Sequence, residues 1–478
     1  MKTRLIVAAL AASLTGPASA GQVPGLARAP NLPVSHRDRF YTSDQFSNTI
    51  SVIDPAANRL LGVIRLGDTT PTNLSPLYRG QLLVHGMGFS PDRRTLLAVS
   101  IGSNSVSFID TATNAVRHTS YVGRAPHEAF FTPDGKEVWV TVRGEDYVAV
   151  LDGATGKETG RIAVPNGPGM TIFSPDGRYG FVCSSFTPET VAIDVKSHAV
   201  VGRIRQDSPF CPDLAATPDG EQVWFTLKDV GRTQVFEAKP PFKVLKTIET
   251  GPITNHVNIV RTKAGQFAYV TVGGLNLVKV FRTDDFSQVA TIPTGALPHG
   301  LWPSGDGSRV YVGLENADKV AVIDTTSNTV TTEIPIGQGP QDVAYVPDAV
   351  PDGPGTDNLQ PLGQAGGTSA LILAGIDGRA ATQVTLFDQG PLQILQAAVT
   401  GLVPGQPYVL AFSSSRDGRG DLEPLAAFTT NPAGAAIVNA VGPIRQVTGA
   451  EATAPRRHIV ILDGRTGGTR TPVQTQTE

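Results

Sequence analysis

The sequence predicts an all-β protein: a seven-bladed β-propeller with non-covalent ring closure, followed by a small β-sandwich domain. Three observations carry this. First, the phrase Ser/Thr-Pro-Asp-Gly recurs, at Ser90-Pro91-Asp92, Thr132-Pro133-Asp134-Gly135, Ser174-Pro175-Asp176-Gly177 and Thr217-Pro218-Asp219-Gly220, with its aspartates 42, 42 and 43 residues apart. Second, another mark keeps the same step: Asp110, Asp152, Asp194 and Asp324 close runs such as Phe108-Ile109-Asp110, with Glu237 and Arg282 at the intervening positions. Third, 51 Gly and 37 Pro among 478 residues are a heavy loading of turn formers. A unit of four short strands repeating every 40–45 residues or so is the pattern of a propeller blade.

Taken in order, residues 1–20 read as a secretory signal. Lys2 and Arg4 form a basic start, Leu5 to Leu14 an apolar run, and Ala18-Ser19-Ala20 a small-x-small cleavage site. The apolar run is too short to span a bilayer. The expected address is the periplasm, with secretion or the cell surface as the alternative. Residues 21–37 form an N-terminal lead. The propeller is expected over 38–348. In its second unit the strands are Ala129–Thr132, Val138–Val142, Tyr147–Leu151 and Glu158–Ala163, each rich in β-formers and bounded by turn residues. Pro-Asp-Gly supplies a β-turn, and the Asp closing each third strand suits an Asx-turn, so both marks have structural work. Six full units start near residues 85, 127, 169, 212, 256 and 299. Asp342–Val346 is then a lone inner strand. Phe40–Thr42, Ile50–Ile53 and Leu61–Arg65 supply the other three strands of a seventh blade, joining both ends of the domain and removing free sheet edges.

The Pro/Gly-rich stretch 349–367 reads as a linker. Beyond it the period stops. Ser369–Gly375, Gln383–Phe387, Leu395–Thr400, Pro407–Phe412 and Ala426–Thr429 read as strands of a β-sandwich over 368–447. Residues 448–478 read as a polar tail in which Ile459–Leu462 adds one strand.

Ala268-Tyr269-Val270-Thr271, Val138-Trp139-Val140-Thr141, Val310-Tyr311-Val312-Gly313 and Val322-Ile323-Asp324-Thr325-Thr326-Ser327-Asn328 resemble the YVTN-repeat family of exported β-propellers. The resemblance covers about residues 38–348. It is specific for fold and weak for function, since propellers host unrelated activities. It extends loosely to propellers that hold copper or haem d1 at the channel. Leu402-Val403-Pro404-Gly405-Gln406-Pro407-Tyr408 resembles the corner of fibronectin type III-like domains, which implies a Tyr408 hydroxyl bonded back to the backbone.

Counting seven residues back from each turn aspartate gives one position per blade. His85, His127 and His299 fall there, and His256 does so if the degenerate fifth unit carries one extra residue. Asp213 and Asp342 lie close to that register. Two readings stand. Imidazoles from several blades can converge on a copper or zinc ion. Alternatively, each histidine bonds backbone at the blade mouth, as the Pro-His phrases of the YVTN family imply. Cys183 and Cys211, the two cysteines present, either form a disulfide across adjacent blades or stay unpaired, with Cys211 near the histidines.

A formal net charge of -3 gives no electrostatic case for nucleic acid. No C-x-x-C-H, G-x-S-x-G, H-E-x-x-H or P-loop is present. The polar stretch 68–81 reads as an insertion beside the first channel histidine. The expected function is an exported scaffold that binds a small molecule or protein at the channel face. The alternative is a metal-dependent redox or hydrolytic enzyme built on His85, His127, His256 and His299. A third possibility is surface adhesion.

Overall fold

The computed structural model describes residues 32–67, 82–363, 367–375, 382–389, 392–442, 444, 456–465 and 471–477. The signal segment 1–20 and the insertion 68–81 lie outside the described residues. Seven four-stranded antiparallel sheets form the propeller. Blades 1 to 6 occupy residues 84–121, 126–163, 168–205, 214–249, 254–293 and 298–335. Blade 7 joins Pro340–Val346 to Arg39–Asp44, Thr49–Asp54 and Arg59–Arg65. Within it Phe40 pairs with Tyr345 and Tyr41 with Ala344, so the ring closes through backbone hydrogen bonds between the two ends of the domain. Asp38 reinforces the seam, accepting from the Tyr345 hydroxyl at 2.5 Å and from the Asp348 amide at 2.8 Å.

The turn aspartates act as their sequence context implies. Asp134 accepts from Thr132 Oγ1 at 2.8 Å and from the Lys136 amide at 3.1 Å. Asp324 accepts from the Thr326 and Ser327 amides at 3.1 and 2.8 Å. Large apolar side chains wedge adjacent blades apart at one repeated place, the third residue of the second strand. Leu97, Trp139, Phe181, Trp224, Tyr311 and Tyr41 hold it, and all are fully buried. These side chains, five of the six aromatic, contribute apolar burial that holds each blade to the next.

The C-terminal domain is all-β, as expected, and its form is a nearly closed sheet. It is one antiparallel sheet of eight strands, in the order Leu422–Thr429, Pro407–Ser413, His458–Asp463, Pro472–Gln476, Thr368–Gly375, Thr382–Asp388, Gln393–Val399, Ala436–Gly442. Its two edge strands lie side by side, so the sheet is a nearly closed barrel. Two strands come from the stretch read as a polar tail. Pro472–Gln476 looks polar because its inward side chains are glutamines that bond inside the sheet: Gln474 Nε2 donates to Thr400 O at 2.8 Å, and Gln476 Oε1 accepts from the Ile459 amide at 3.0 Å. The corner at Tyr408 has the geometry of the resemblance, its hydroxyl accepting from the Val403 amide at 3.2 Å.

The linker is tied down where Gln360 exchanges two backbone hydrogen bonds with Val63, both 2.8 Å, on the outer strand of blade 7. From there the C-terminal sheet lies across one face of the propeller. Ile253 and Leu297 pack on Ala398 and Ala435, and Phe46 stacks obliquely on Phe387 at 4.9 Å. Polar bonds cross the same interface: Gln389 Nε2 to Phe46 O at 3.2 Å, Thr385 Oγ1 to Asn316 O at 3.3 Å, and the Ala433 amide to Asp229 O at 3.1 Å.

Candidate functional site: a capped channel mouth

The covered face is the end of the channel at which the inner strands begin. In blades 1, 2, 5 and 6, and again in blade 7 between Pro340 and Val343, the inner strand carries the same bulge, three steps along it against two along its partner. Val84 pairs with Ser100 and Met87 with Ala98, and Pro126 pairs with Val142 and Ala129 with Val140. Thr254 and Val257, and Pro298 and Leu301, repeat the pattern. A bulge redirects side chains out of the pleat, and the residues it redirects here include His85, His127, His256 and His299. Bulging also leaves backbone groups unpaired, which buried threonines of the second strands satisfy. Thr141 Oγ1 accepts from the Glu128 amide and donates to Gly169 O, both at 3.0 Å. Thr271 Oγ1 accepts from the His256 amide and donates to His299 O, both at 2.8 Å. Gly86 is required for the close approach of blades 1 and 2, since a Cβ there would stand 2.2 Å from His127 O.

Strand pairing separates two rings. The first bulge position holds His85, His127 and His299, with Gly169, Asn255 and Gln341 in other blades. The second holds Glu128, Asp213, His256 and Asp342. His256 therefore sits one step from its expected register, with Asn255 in the place counted for it. All four imidazoles are nonetheless buried and adjacent. Ring centroids lie 4.2 Å apart for His85 and His127, 4.6 Å for His256 and His299, and 6.4 Å for His85 and His299.

Hydrogen bonding assigns two tautomers. His127 Nδ1 lies 2.8 Å from Gly169 O and His299 Nδ1 lies 2.7 Å from Gln341 O. A carbonyl only accepts, so each Nδ1 carries hydrogen, and in the neutral ring Nε2 keeps its lone pair. His85 Nδ1 and His256 Nε2 are buried without a hydrogen-bond partner among the described residues, as are both carboxylate oxygens of Glu128. Glu128 Oε1 stands 3.5 Å from both His85 Nδ1 and His127 Nδ1. His256 Nδ1 stands 3.7 Å from Asp213 and from Asp342. Ligand atoms of His85, His127 and Glu128 lie within 4.8 Å of one another, close enough to share an ion.

Burial holds all four imidazoles well toward the neutral form, His299 to about 3. Burial also pushes the carboxyls up, Asp342 to about 7, and Glu128 well up, with Asp342 and Asp213 adding negative charge beside it. Neutral imidazoles are the protonation state a metal requires of its ligands, whereas the Glu128 carboxyl, held toward its protonated form, must release a proton to bind a cation.

Above the histidines a cavity of about 500 Å³ opens between propeller and C-terminal sheet. Its walls include Arg143, Lys228 and Glu315, each the first residue after the second strand of its blade, and Gln396 and Asn431 from the cap. Phe210 lies under both cations. It precedes Cys211, which is joined by a disulfide to Cys183 in blade 3, with Cα atoms 6.0 Å apart. Counting from the turn aspartates did not reveal Glu128, Arg143, Lys228 or the cap residues. The first three sit at fixed offsets in the repeat, one residue after the histidine position or after the second strand. The cap residues carry no such mark.

Residues 103–333 are similar to the lactonase family of 7-bladed β-propellers. No curated protein matches the chain. Among solved structures, hydrazine synthase of Kuenenia stuttgartiensis is 21% identical at a TM-score of 0.50, the match covering 56% of this chain and 90% of that one. A functionally unknown protein from Desulfotomaculum acetoxidans is 14% identical at a TM-score of 0.53, covering 64% and 98%. At these identities the likeness is one of fold.

Proposed function

We propose that the protein is an exported metalloprotein that holds a copper or zinc ion at the channel mouth and receives a small molecule in the chamber above it. The observation that carries this is the group formed by His85, His127 and Glu128, whose ligand atoms lie within 4.8 Å of one another, with His85 Nδ1 and, nearby, His256 Nε2 buried without a hydrogen-bond partner among the described residues. Leaving such groups unpaired costs roughly 1–3 kcal/mol each, and an ion would satisfy them. His127 and His299 join through Nε2, their rings oriented by the carbonyls of Gly169 and Gln341 as outer-shell acceptors orient metal-bound imidazoles. Asp213 and Asp342 flank His256, each 3.7 Å from its Nδ1.

A bound ion of this kind supplies Lewis-acid activation of a carbonyl or of water. The chain's own part is to exclude bulk water with the C-terminal sheet, to orient the imidazoles, and to hold the proton that Glu128 releases when a cation arrives. The covered mouth favours a small molecule over a protein partner there. The similarity to lactonases makes a cyclic ester the first substrate to try, with hydrolytic ring opening as the reaction. A binding role without turnover uses the same chamber and differs only in that assay. The basic-apolar-small pattern of residues 1–20 supports the periplasm as the place of action.

The test is metal analysis of the purified full-length protein after exposure to copper and zinc, beside a His127→Ala/His299→Ala variant. Near-stoichiometric metal that the variant loses supports the proposal. No retained metal, or equal metal in both, overturns it.

A further inference from the structure

We propose that Arg143 and Lys228 form an oxyanion-binding wall of the chamber, so that the molecule it takes is a small carboxylate or phosphate whose charged end lies against these two side chains. The inference rests on the reading of the chamber as a ligand site, and it does not depend on the ion.

The two residues are equivalent in the repeat. Arg143 follows the second strand of blade 2, Glu137–Val142, and Lys228 follows that of blade 4, Gln222–Leu227. Both meet the ring of Phe210, Arg143 at 5.2 Å and Lys228 at 5.9 Å from its centroid. That ring is itself anchored, because the disulfide fixes Cys211 beside it. Phe210 thus brings two cations to one place on the chamber wall.

Neither cation has a side-chain hydrogen bond or ion pair among the described residues, and Arg143 Nε is buried with no partner. Elsewhere on the propeller, cations with far more access to water are paired: Arg203 with Glu189 at 2.6 Å, Lys319 with Glu333 at 2.7 Å, Arg232 with Glu249 at 2.7 Å. Asp229 and Glu315 share the chamber and attract Lys228 through space, as Glu128 attracts Arg143, but among the described residues no acid stands at ion-pair distance from either cation. Burial moves these acids and both cations toward their neutral forms, and an anion in contact with the two cations would offset that cost. Arg adds a planar fork that suits carboxylate or phosphate oxygens. The cap offers a complementary acceptor in Gln396 Oε1, buried and unpartnered, which fits a hydroxyl on the same ligand. The volume suits a molecule of metabolite size.

The test is calorimetric titration of the full-length, metal-stripped protein with gluconate, inorganic phosphate and uncharged sorbitol. Gluconate or phosphate is expected to bind and sorbitol not, and the better of the two anions tells carboxylate from phosphate. Arg143→Gln and Lys228→Gln should each weaken binding at least tenfold. Arg143→Lys, which keeps the charge, should retain part of it and guards against a variant that fails to fold. Because the titrated protein holds no metal, a failed metal site leaves anion binding in place, so a failed metal site and a failed anion wall give different results. No binding of either anion, sorbitol binding as tight as gluconate, or equal binding in the Arg143 and Lys228 variants would each overturn the assignment.

Discussion

The Nδ1 of His299 in blade 6 lies 2.7 Å from the carbonyl of Gln341 in blade 7. His127 makes the same bond to Gly169 one blade on from its own, at 2.8 Å. Each imidazole is thus a tie between neighbouring blades that leaves Nε2 available. The structural and the metal-binding readings of these histidines are compatible, because they use different nitrogens. Asparagine can keep the Nδ1-like donor and lacks Nε2. His299→Asn should therefore unfold within about 1 kcal/mol of the parent, yet lose at least tenfold in copper or zinc affinity. Denaturant titration and metal competition measure the two separately.

The bulges depend on Thr271, which accepts from the His256 amide and donates to His299 O. Thr271→Val keeps the shape and removes both bonds, leaving two buried backbone groups unsatisfied. The expected loss is roughly 2–6 kcal/mol, from about 1–3 kcal/mol per orphaned group, read as a lower urea midpoint. The same variant should hold metal less tightly, because the backbone that aims His256 and His299 has lost its support.

Ring closure should carry a pH dependence through Asp44, at the end of its strand in blade 7. Its carboxylate accepts from Thr42 at 2.6 Å, Ser51 at 2.7 Å and Thr49 at 2.9 Å, while burial, with the charge of Asp318 nearby, pushes its pKa from 3.8 to about 7. The folded value lies above the unfolded one, so the contribution is full below about pH 4 and is lost as pH rises through 7. Asp44→Asn has no charge to bury. Its stability should gain on the parent by up to about 1.4 kcal/mol per pH unit across that window. Urea midpoints of both proteins at pH 5 and pH 8 check the sign.

The disulfide closes a stretch with a sequence separation of 28 residues, between blade 3 and the start of blade 4. Regular pairing of that inner strand begins at Leu214, and before it Phe210, Cys211 and Asp213 are held by single backbone bonds to Lys228, Ser184 and Thr226, which the disulfide reinforces. In the chain-entropy account a loop of this length is worth about 3–4 kcal/mol. Cys183→Ser/Cys211→Ser should lower the thermal midpoint by several degrees, and should weaken chamber ligands more than it weakens metal uptake.

The propeller was legible because its repeat is written twice, in the Pro-Asp-Gly turns and in the aspartates closing third strands. Each mark has a local hydrogen-bonding cause. The first mouth ring was legible for the same reason, as a fixed offset from a turn. His256 shows the limit of counting: the fifth unit lacks the turn motif, and strand pairing puts Asn255 in the counted place. The eight-stranded sheet was not legible, since Pro472–Gln476 buries glutamines that satisfy one another's neighbours and so carries no apolar alternation. That sheet's position over the mouth depends on scattered contacts such as Gln389 with Phe46 and Thr385 with Asn316, which follow no period.

The account's central claim is a histidine-ligated ion at the capped mouth. X-ray absorption of the zinc- or copper-loaded full-length protein tests it most directly. The account predicts nitrogen neighbours at about 2.0–2.1 Å with imidazole scattering beyond them, diminished in His127→Ala/His299→Ala. A spectrum of water and carboxylate oxygens alone, unchanged in that variant, would contradict it.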